Sequence, residues 1–238
     1  MERRTTLKNQ QKTYDMDMCQ GPLFKKILLF ALPLIASGIL QLCYNAADTV
    51  IVGRFVDADA LAAVGANTHL IDLLVNLVLG LSVGINVAAA QHYGARRFDA
   101  VNRCVHTAIC LALILGAFVG ASGILFGEQL LIAMDCPENI LQQATLYLKI
   151  YMLGLPASLL YNFGAAILRS TGNSRQPLYF LTIAGIANVL SNVLFVVVFH
   201  MSVAGVAIAT TLSQYLSAAL VLRSLLRRKD YLSLQIKR

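Results

Sequence analysis

Five stretches of this sequence carry no Asp, Glu, Lys or Arg, and their lengths decide what the chain can become. Ile27–Ala47, Leu73–Tyr93, Cys104–Gly127 and Ile150–Leu168 each match one membrane-spanning helix, which needs roughly 20 apolar residues. Gln176–Leu222 is long enough for two, and His200, Ser202 and Gly205 interrupt it near Phe199–Gly205. The expectation is an all-α membrane protein, a bundle of six transmembrane helices. Barrel strands would read as alternating runs of about 10 residues, which are not found here. Charged residues make up 13% of the chain and hydrophobic ones 58%, where a soluble domain carries about 25% charged residues. The lipid bilayer therefore replaces water over much of the exterior.

The charges orient the bundle. Of the 19 Lys and Arg, all but Arg54 and Lys149 fall before span 1, between spans 2 and 3, between spans 4 and 5, or after span 6. Asp57, Asp59, Glu128, Asp135 and Glu138 occupy the opposite loops. The positive-inside rule makes the Lys/Arg side cytoplasmic, an N-in/C-in topology. The expected layout is a cytoplasmic N-terminal segment (1–24), a six-helix lobe (25–226) and a basic cytoplasmic tail (227–238). The formal charge of +7 is juxtamembrane, so no nucleic-acid partner is implied. Met1–Gln20 is polar and lacks a cleavable signal core, which leaves span 1 to direct insertion. The chain is expected in the plasma or inner cell membrane as a multi-pass protein.

The spans read as Ile27–Val52, Leu61–Ala90, Val105–Gly127, Tyr147–Leu168, Leu178–Phe199 and Val203–Leu225. Pro137-Glu138 is a helix start, and Ser174–Pro177 a helix-stopping loop. Gly80/Gly84, Gly116/Gly120 and Gly123/Gly127 form G-x-x-x-G pairs, expected to pack helices closely within the bundle. Pro33 and Pro156 interrupt spans 1 and 4, where each removes a backbone hydrogen bond and makes a static kink or a hinge.

Span 1 carries the most telling polar pattern. Gln41, Tyr44, Asn45 and Asp48 fall on one helix face, with Ser37 one turn earlier. Polar groups cannot face hydrocarbon unpaired, so this stripe faces protein or a water-filled cavity. Asp48 has four options: to pair with a cation, coordinate a metal ion, stay protonated, or sit near the outer water. Asn188, Ser191 and Asn192 on span 5, and Thr210, Thr211, Ser213, Gln214 and Ser217 on span 6, are its potential partners. For Thr211, Ser213 and Ser217 ordinary helix-packing hydrogen bonds are expected; for Asn188 and Asn192 cavity lining and packing are both open. Asp72 and His69 are expected at the outer interface in water. The five cysteines show no pairing pattern and imply no redox or metal role.

An enzyme is not expected. Gly120-Ala-Ser122-Gly123 matches the G-x-S-G of intramembrane serine proteases, but the only later histidine, His200, falls in a loop. A nucleophilic serine needs a base within hydrogen-bond reach. No H-E-x-x-H, P-loop or dinucleotide-binding pattern occurs.

Several segments, in order, resemble one family. Gly21-Pro-Leu-Phe-Lys-Lys with Phe30-Ala-Leu-Pro33, then Tyr44-Asn-Ala-Ala-Asp48 through Gly53-Arg54, open the match. Leu61–Gly65, Gly80–Gly84, Tyr93-Gly94 and Leu168-Arg169-Ser-Thr-Gly172 continue it. The series is similar to the N-terminal six-helix half of multidrug and toxic compound extrusion (MATE) transporters, from Gly21 to about Leu225. The resemblance implies one lobe of a twelve-helix transporter that expels drugs and organic cations by antiport against H⁺ or Na⁺. It implies cation coupling at Asp48, with Asn188, Asn192 and Thr210 joining it. It also implies a bending proline at Pro33 and a substrate cavity lined by Gln41, Tyr44 and Asn45. No cofactor is expected beyond the coupling ion, and no metal beyond Na⁺ at Asp48. Many relatives with a proton-type site carry an acid where Asn192 stands, which leaves Asp48 the only deep carboxylate expected. The match ends with the first lobe, which implies a second six-helix lobe as partner, from a separate chain or a second copy. An inactive or structural membrane fragment of a truncated gene is the alternative.

The topology is checked by single cysteines in a cysteine-free background. A cysteine at Glu138 should label from outside the cell, and one at Lys229 only after permeabilisation. The reverse pattern would overturn the orientation.

Overall fold

The computed structural model describes residues 23–228 and Leu232. Most of the expected N-terminal segment and basic tail, Cys19 and the Gly21-Pro22 start of the family match lie outside the described residues. Six long helices follow one another: α1 (Leu23–Phe55), α2 (Ala58–Gly94), α3 (Phe98–Ala133), α4 (Glu138–Ser170), α5 (Arg175–Asn192) and α6 (Ser202–Arg227). Each is long and apolar enough to cross a membrane. Among the described residues there is no strand. Most helices overrun the spans read from sequence by a few residues at one or both ends.

Local chemistry explains the joints. Asp57 caps α2, its Oδ1 accepting the Ala60 N–H at 2.8 Å. Pro137 stands just before Glu138, the first residue of α4. The α4–α5 turn is tighter than the sequence suggested: α5 already begins at Arg175, so Pro177 lies inside its first turn instead of in a loop. A first-turn proline costs nothing, because its missing N–H would have had no intrahelical partner. Gly172 makes the turn by adopting φ 85°, which side chains disfavour. Asn173 Oδ1 then accepts the Gln176 N–H at 3.1 Å. The break between α5 and α6 is short, and Gly205 lies inside α6. The span read to Phe199 ends where the helical stretch does, but the change of form within it was not legible in the sequence. After Asn192 the helix widens into a π-turn over Val193–Val198.

The arrangement inverts the rule of soluble proteins. The most apolar helix, α3 (mean hydropathy 2.5), is largely peripheral, and α1 (2.1) has no buried residue in its most apolar stretch. The least apolar, α4 (1.4), is two-thirds buried in that stretch and forms the centre. Lipid is as apolar as leucine, so hydrophobicity does not select the interior; small residues and hydrogen bonds do. Along α3, Gly116 and Gly120 face Pro156 and the Met152 carbonyl. Gly123 and Gly127 face the side chains of Met152 and Leu148. Gly154 and Gly164 admit Gln214 and Val221 of α6 to the other side of α4. Amide side chains bind α2 to α4: Asn67 donates to the Ala144 carbonyl at 3.0 Å and Asn86 to that of Ala166 at 2.9 Å.

Two of the three glycine pairs therefore pack the bundle as expected. The third does not. Nothing lies within 4 Å of the Cβ positions of Gly80 and Gly84, because α2 turns that face away from its neighbours. Pro156 packs directly on Gly116, and both α1 and α4 remain single helices through their prolines.

These contacts give a paired expectation. Gly120→Ala sets a methyl 2.8 Å from the Met152 carbonyl oxygen and should destabilise by about 1–3 kcal/mol, the usual range for overpacking. Gly84→Ala meets open space and should be neutral or slightly stabilising. Thermal unfolding in one detergent compares them.

Candidate functional site

Because α4 is central and α1 reaches the bundle mainly along α5, a cleft remains between α1 and α2 on one side and α4, α5 and α6 on the other. The cavity has a volume of about 570 Å³, within the usual range of small-molecule sites of roughly 300–1,000 Å³. The polar stripe of α1 faces it as anticipated: Ser37, Gln41, Tyr44, Asn45 and Asp48 all line it, with Asn188 and Thr210 opposite. Pro33 does not line it. Its carbonyl accepts the Ser37 hydroxyl at 2.7 Å, a bond within the turn that follows the proline.

Asp48 is the hub of a closed hydrogen-bond ring. The Asn192 amide nitrogen donates to Asp48 Oδ1 and also to Asn188 Oδ1, the latter at 3.3 Å. Asn188 Nδ2 donates to Thr210 Oγ1 at 3.4 Å, and the Thr210 hydroxyl donates to Asp48 Oδ2 at 3.4 Å. Both carboxylate oxygens thus accept from helices other than their own, α5 and α6. Asn192 is fully buried, and its Oδ1 has no partner among the described residues. The site gathers a carboxylate, two amide oxygens and one hydroxyl. All are hard oxygen donors, suited to a proton or a small hard cation such as Na⁺ and not to a soft metal.

The α1–α5 seam below this ring depends on one glycine. The Tyr44 ring lies directly over Gly185, where any side chain would overlap it. The Tyr44 hydroxyl donates to the Thr182 carbonyl at 3.4 Å. The π-turn starts one residue after Asn192, a placement common at functional sites.

Other expectations resolve into packing. Thr211 donates to the Ile150 carbonyl of α4 at 2.9 Å. Ser213 and Ser217 bond within α6, although both border the cavity. Ser122 donates to the Phe118 carbonyl of its own helix at 2.8 Å, between glycines packed on α4.

Three features went unread in the sequence. Asp72 lines the cavity and is exposed there, so Asp48 is not its only carboxylate. Tyr147, Tyr151, Ser158 and Asn162 of α4 form a second polar stripe along it, and Arg169 borders its far end. The spacing of that stripe, close to whole helical turns, was available as a signal. It was masked because span 4 reads simply as apolar.

A lipid-embedded helical lobe with a polar, carboxylate-bearing cavity among its helices has the architecture of part of a membrane transporter. Comparison with known proteins makes this specific: the MatE family model matches residues 33–194, and the chain belongs to this transporter family. It is 30% identical over 198 residues to the probable multidrug resistance protein YpnP of Bacillus subtilis, covering 83% of this chain and 44% of that one. It is 30% identical over 205 residues to the DNA damage-inducible protein F of Escherichia coli, covering 86% and 44%. An FAD transporter of Shewanella oneidensis is 25% identical over 207 residues, covering 85% and 46%. Among solved structures, a MATE in the bent conformation aligns with a TM-score of 0.85 at 24% identity, over 91% of this chain and 48% of that one. The chain spans about half the length of the relatives it matches, consistent with an N-terminal half.

The ring's geometry predicts energetic coupling. Asn192→Ala and Asp48→Asn should each lower thermal stability. Their double-mutant cycle should return an interaction of about 0.5–3 kcal/mol, as for side chains in one network. Additive effects would dissolve the ring.

Proposed function

We propose that this chain forms one six-helix lobe of a secondary active efflux transporter that expels drugs or organic cations in exchange for H⁺ or Na⁺. The carrying observation is the Asp48 ring: a carboxylate held by donors from α5 and α6 at the wall of a substrate-sized cavity. In this reading Asp48 binds the coupling ion with Asn188, Asn192 and Thr210, and Gln41, Tyr44 and Asn45 line the substrate path. Binding the ion redirects the donors around Asp48, and because α1 is held there, this biases the bend at Pro33. Two cavity carboxylates favour a cationic cargo over an anionic one such as that named for the Shewanella relative.

A second six-helix lobe completes the site in this proposal. Alternating access in such transporters is a rocking of two lobes around a central site. Gln41 and Asn45 are exposed on α1, and an unpaired polar group in hydrocarbon costs several kcal/mol. The cell membrane and the N-in/C-in topology belong to the same reading.

Liposomes holding the chain with a second lobe, supplied as a separate chain or a second copy, provide the test. Ethidium efflux should follow either a proton or a sodium gradient. Asp48→Asn should insert normally and lose gradient-driven efflux by about 10-fold or more, corresponding to about 1.4 kcal/mol or more. Unchanged efflux in Asp48→Asn would remove the coupling role. No flux with any pairing would favour an inert fragment, and flux from a demonstrated monomer would remove the need for a second lobe.

A further inference from the structure

The two carboxylates of the cavity differ in what already occupies them. Both Asp48 oxygens accept hydrogen bonds, from Asn192 and Thr210. Asp72 also lines the cavity, yet makes no hydrogen bond or ion pair among the described residues. They also differ in depth. Asp48 lies about 10 Å along α1 from its end at Phe55, whereas Asp72 lies about 21 Å along α2 from Ala58. Tyr151 of α4 is about 20 Å from Glu138, and Gln214 of α6 about 18 Å from Ser202. Asp72, Tyr151 and Gln214 therefore share one level, deeper than the Asp48 ring.

That level has the chemistry of a cation receptor. Tyr151 is 6% exposed and its ring stacks on Tyr147 at 6.4 Å with the planes 19° apart, which makes a flat aromatic wall. Gln214 Oε1 is buried beside Gly154 with no hydrogen-bond partner among the described residues. A free carboxylate and aromatic faces hold an organic cation by charge and by cation–π attraction. Among the described residues the cavity's one Arg or Lys is Arg169, near the far end of α4 and about 27 Å beyond Tyr151. A positive ligand is thus repelled from one end of the cleft and drawn to the other. A carboxylate well inside a spanning helix, in the wall of a cavity, marks an ion or substrate path.

We propose that Asp72 pairs with the cationic centre of the cargo against the Tyr147–Tyr151 wall, leaving Asp48 and its ring to the coupling ion. This assignment rests on reading the cavity as an organic-cation efflux path. It separates the two charges that one carboxylate would otherwise have to bind in turn.

Ethidium binding to the chain paired with a second lobe in lipid nanodiscs, followed by fluorescence anisotropy, tests it. Asp72→Asn should weaken binding about 10-fold or more, and Asp72→Glu should recover most of the loss. Wild-type affinity in Asp72→Asn would overturn the assignment and leave the efflux reading standing. No binding of ethidium by the wild-type assembly would remove that reading and the assignment with it. Should Asp72→Asn fail to fold, a second measurement keeps Asp72 intact. Val75, another cavity residue one turn along α2, is replaced by Cys in a cysteine-free background. Ethidium should slow its modification by a charged thiol reagent several-fold; an unchanged rate would overturn the assignment.

Discussion

The close approach of α3 to α4 along Gly116, Gly120, Gly123 and Gly127 is the contact on which the rest of the bundle depends. In lipid, apolar side chains gain nothing by leaving their surroundings, so helices associate where their backbones can come near. Four glycines at helical spacing give α4 such a face. Gly154 and Gly164 give it another toward α6, and the amides of Asn67 and Asn86 fix α2. With three neighbours attached in this way, α4 becomes the centre although it is the least apolar of the six.

A central α4 has a chemical consequence. Its Tyr147, Tyr151, Ser158 and Asn162 must go somewhere other than lipid, and the bundle leaves a cavity beside them. Helix α1 closes that cavity from the other side but is held differently. It has no buried glycine seam of its own; instead Tyr44 lies on Gly185 and Asp48 joins Asn192 and Thr210. The residues proposed to bind the ion are thus the same ones that fasten α1 to α5 and α6. A change in what Asp48 holds acts directly on a helix with few other attachments, and Pro33 lies four turns along it. The hydrogen bonds that fasten α1 are those of the Asp48 ring.

The family match and the half-length coverage of its relatives fit this geometry. A lobe whose cavity wall includes exposed Gln41 and Asn45 presents polar surface that hydrocarbon cannot solvate. The spare carboxylate at Asp72 and the occupied one at Asp48 give the wall two unlike acids at two depths, which a single titrating group would not provide.

The sequence by itself determined the number of helices, their approximate limits and the polar stripe of α1. Uninterrupted apolar length and helical spacing are local properties, and the bilayer enforces them one segment at a time. The sequence's polar residues within the spans include every member of the ring, and the family resemblance picked out Asp48, Asn188, Asn192 and Thr210 among them. Only the tertiary structure decided which helix is central, that Gly80 and Gly84 pack against nothing, and that α5 ends in a π-turn. It alone showed that Asp72 lies in the cavity wall. Both the interface and a water-filled cleft accept a carboxylate, so the residue type does not distinguish them. What separates them is the rotation of α2 about its axis, and that is fixed by contacts with α4 far away in the chain.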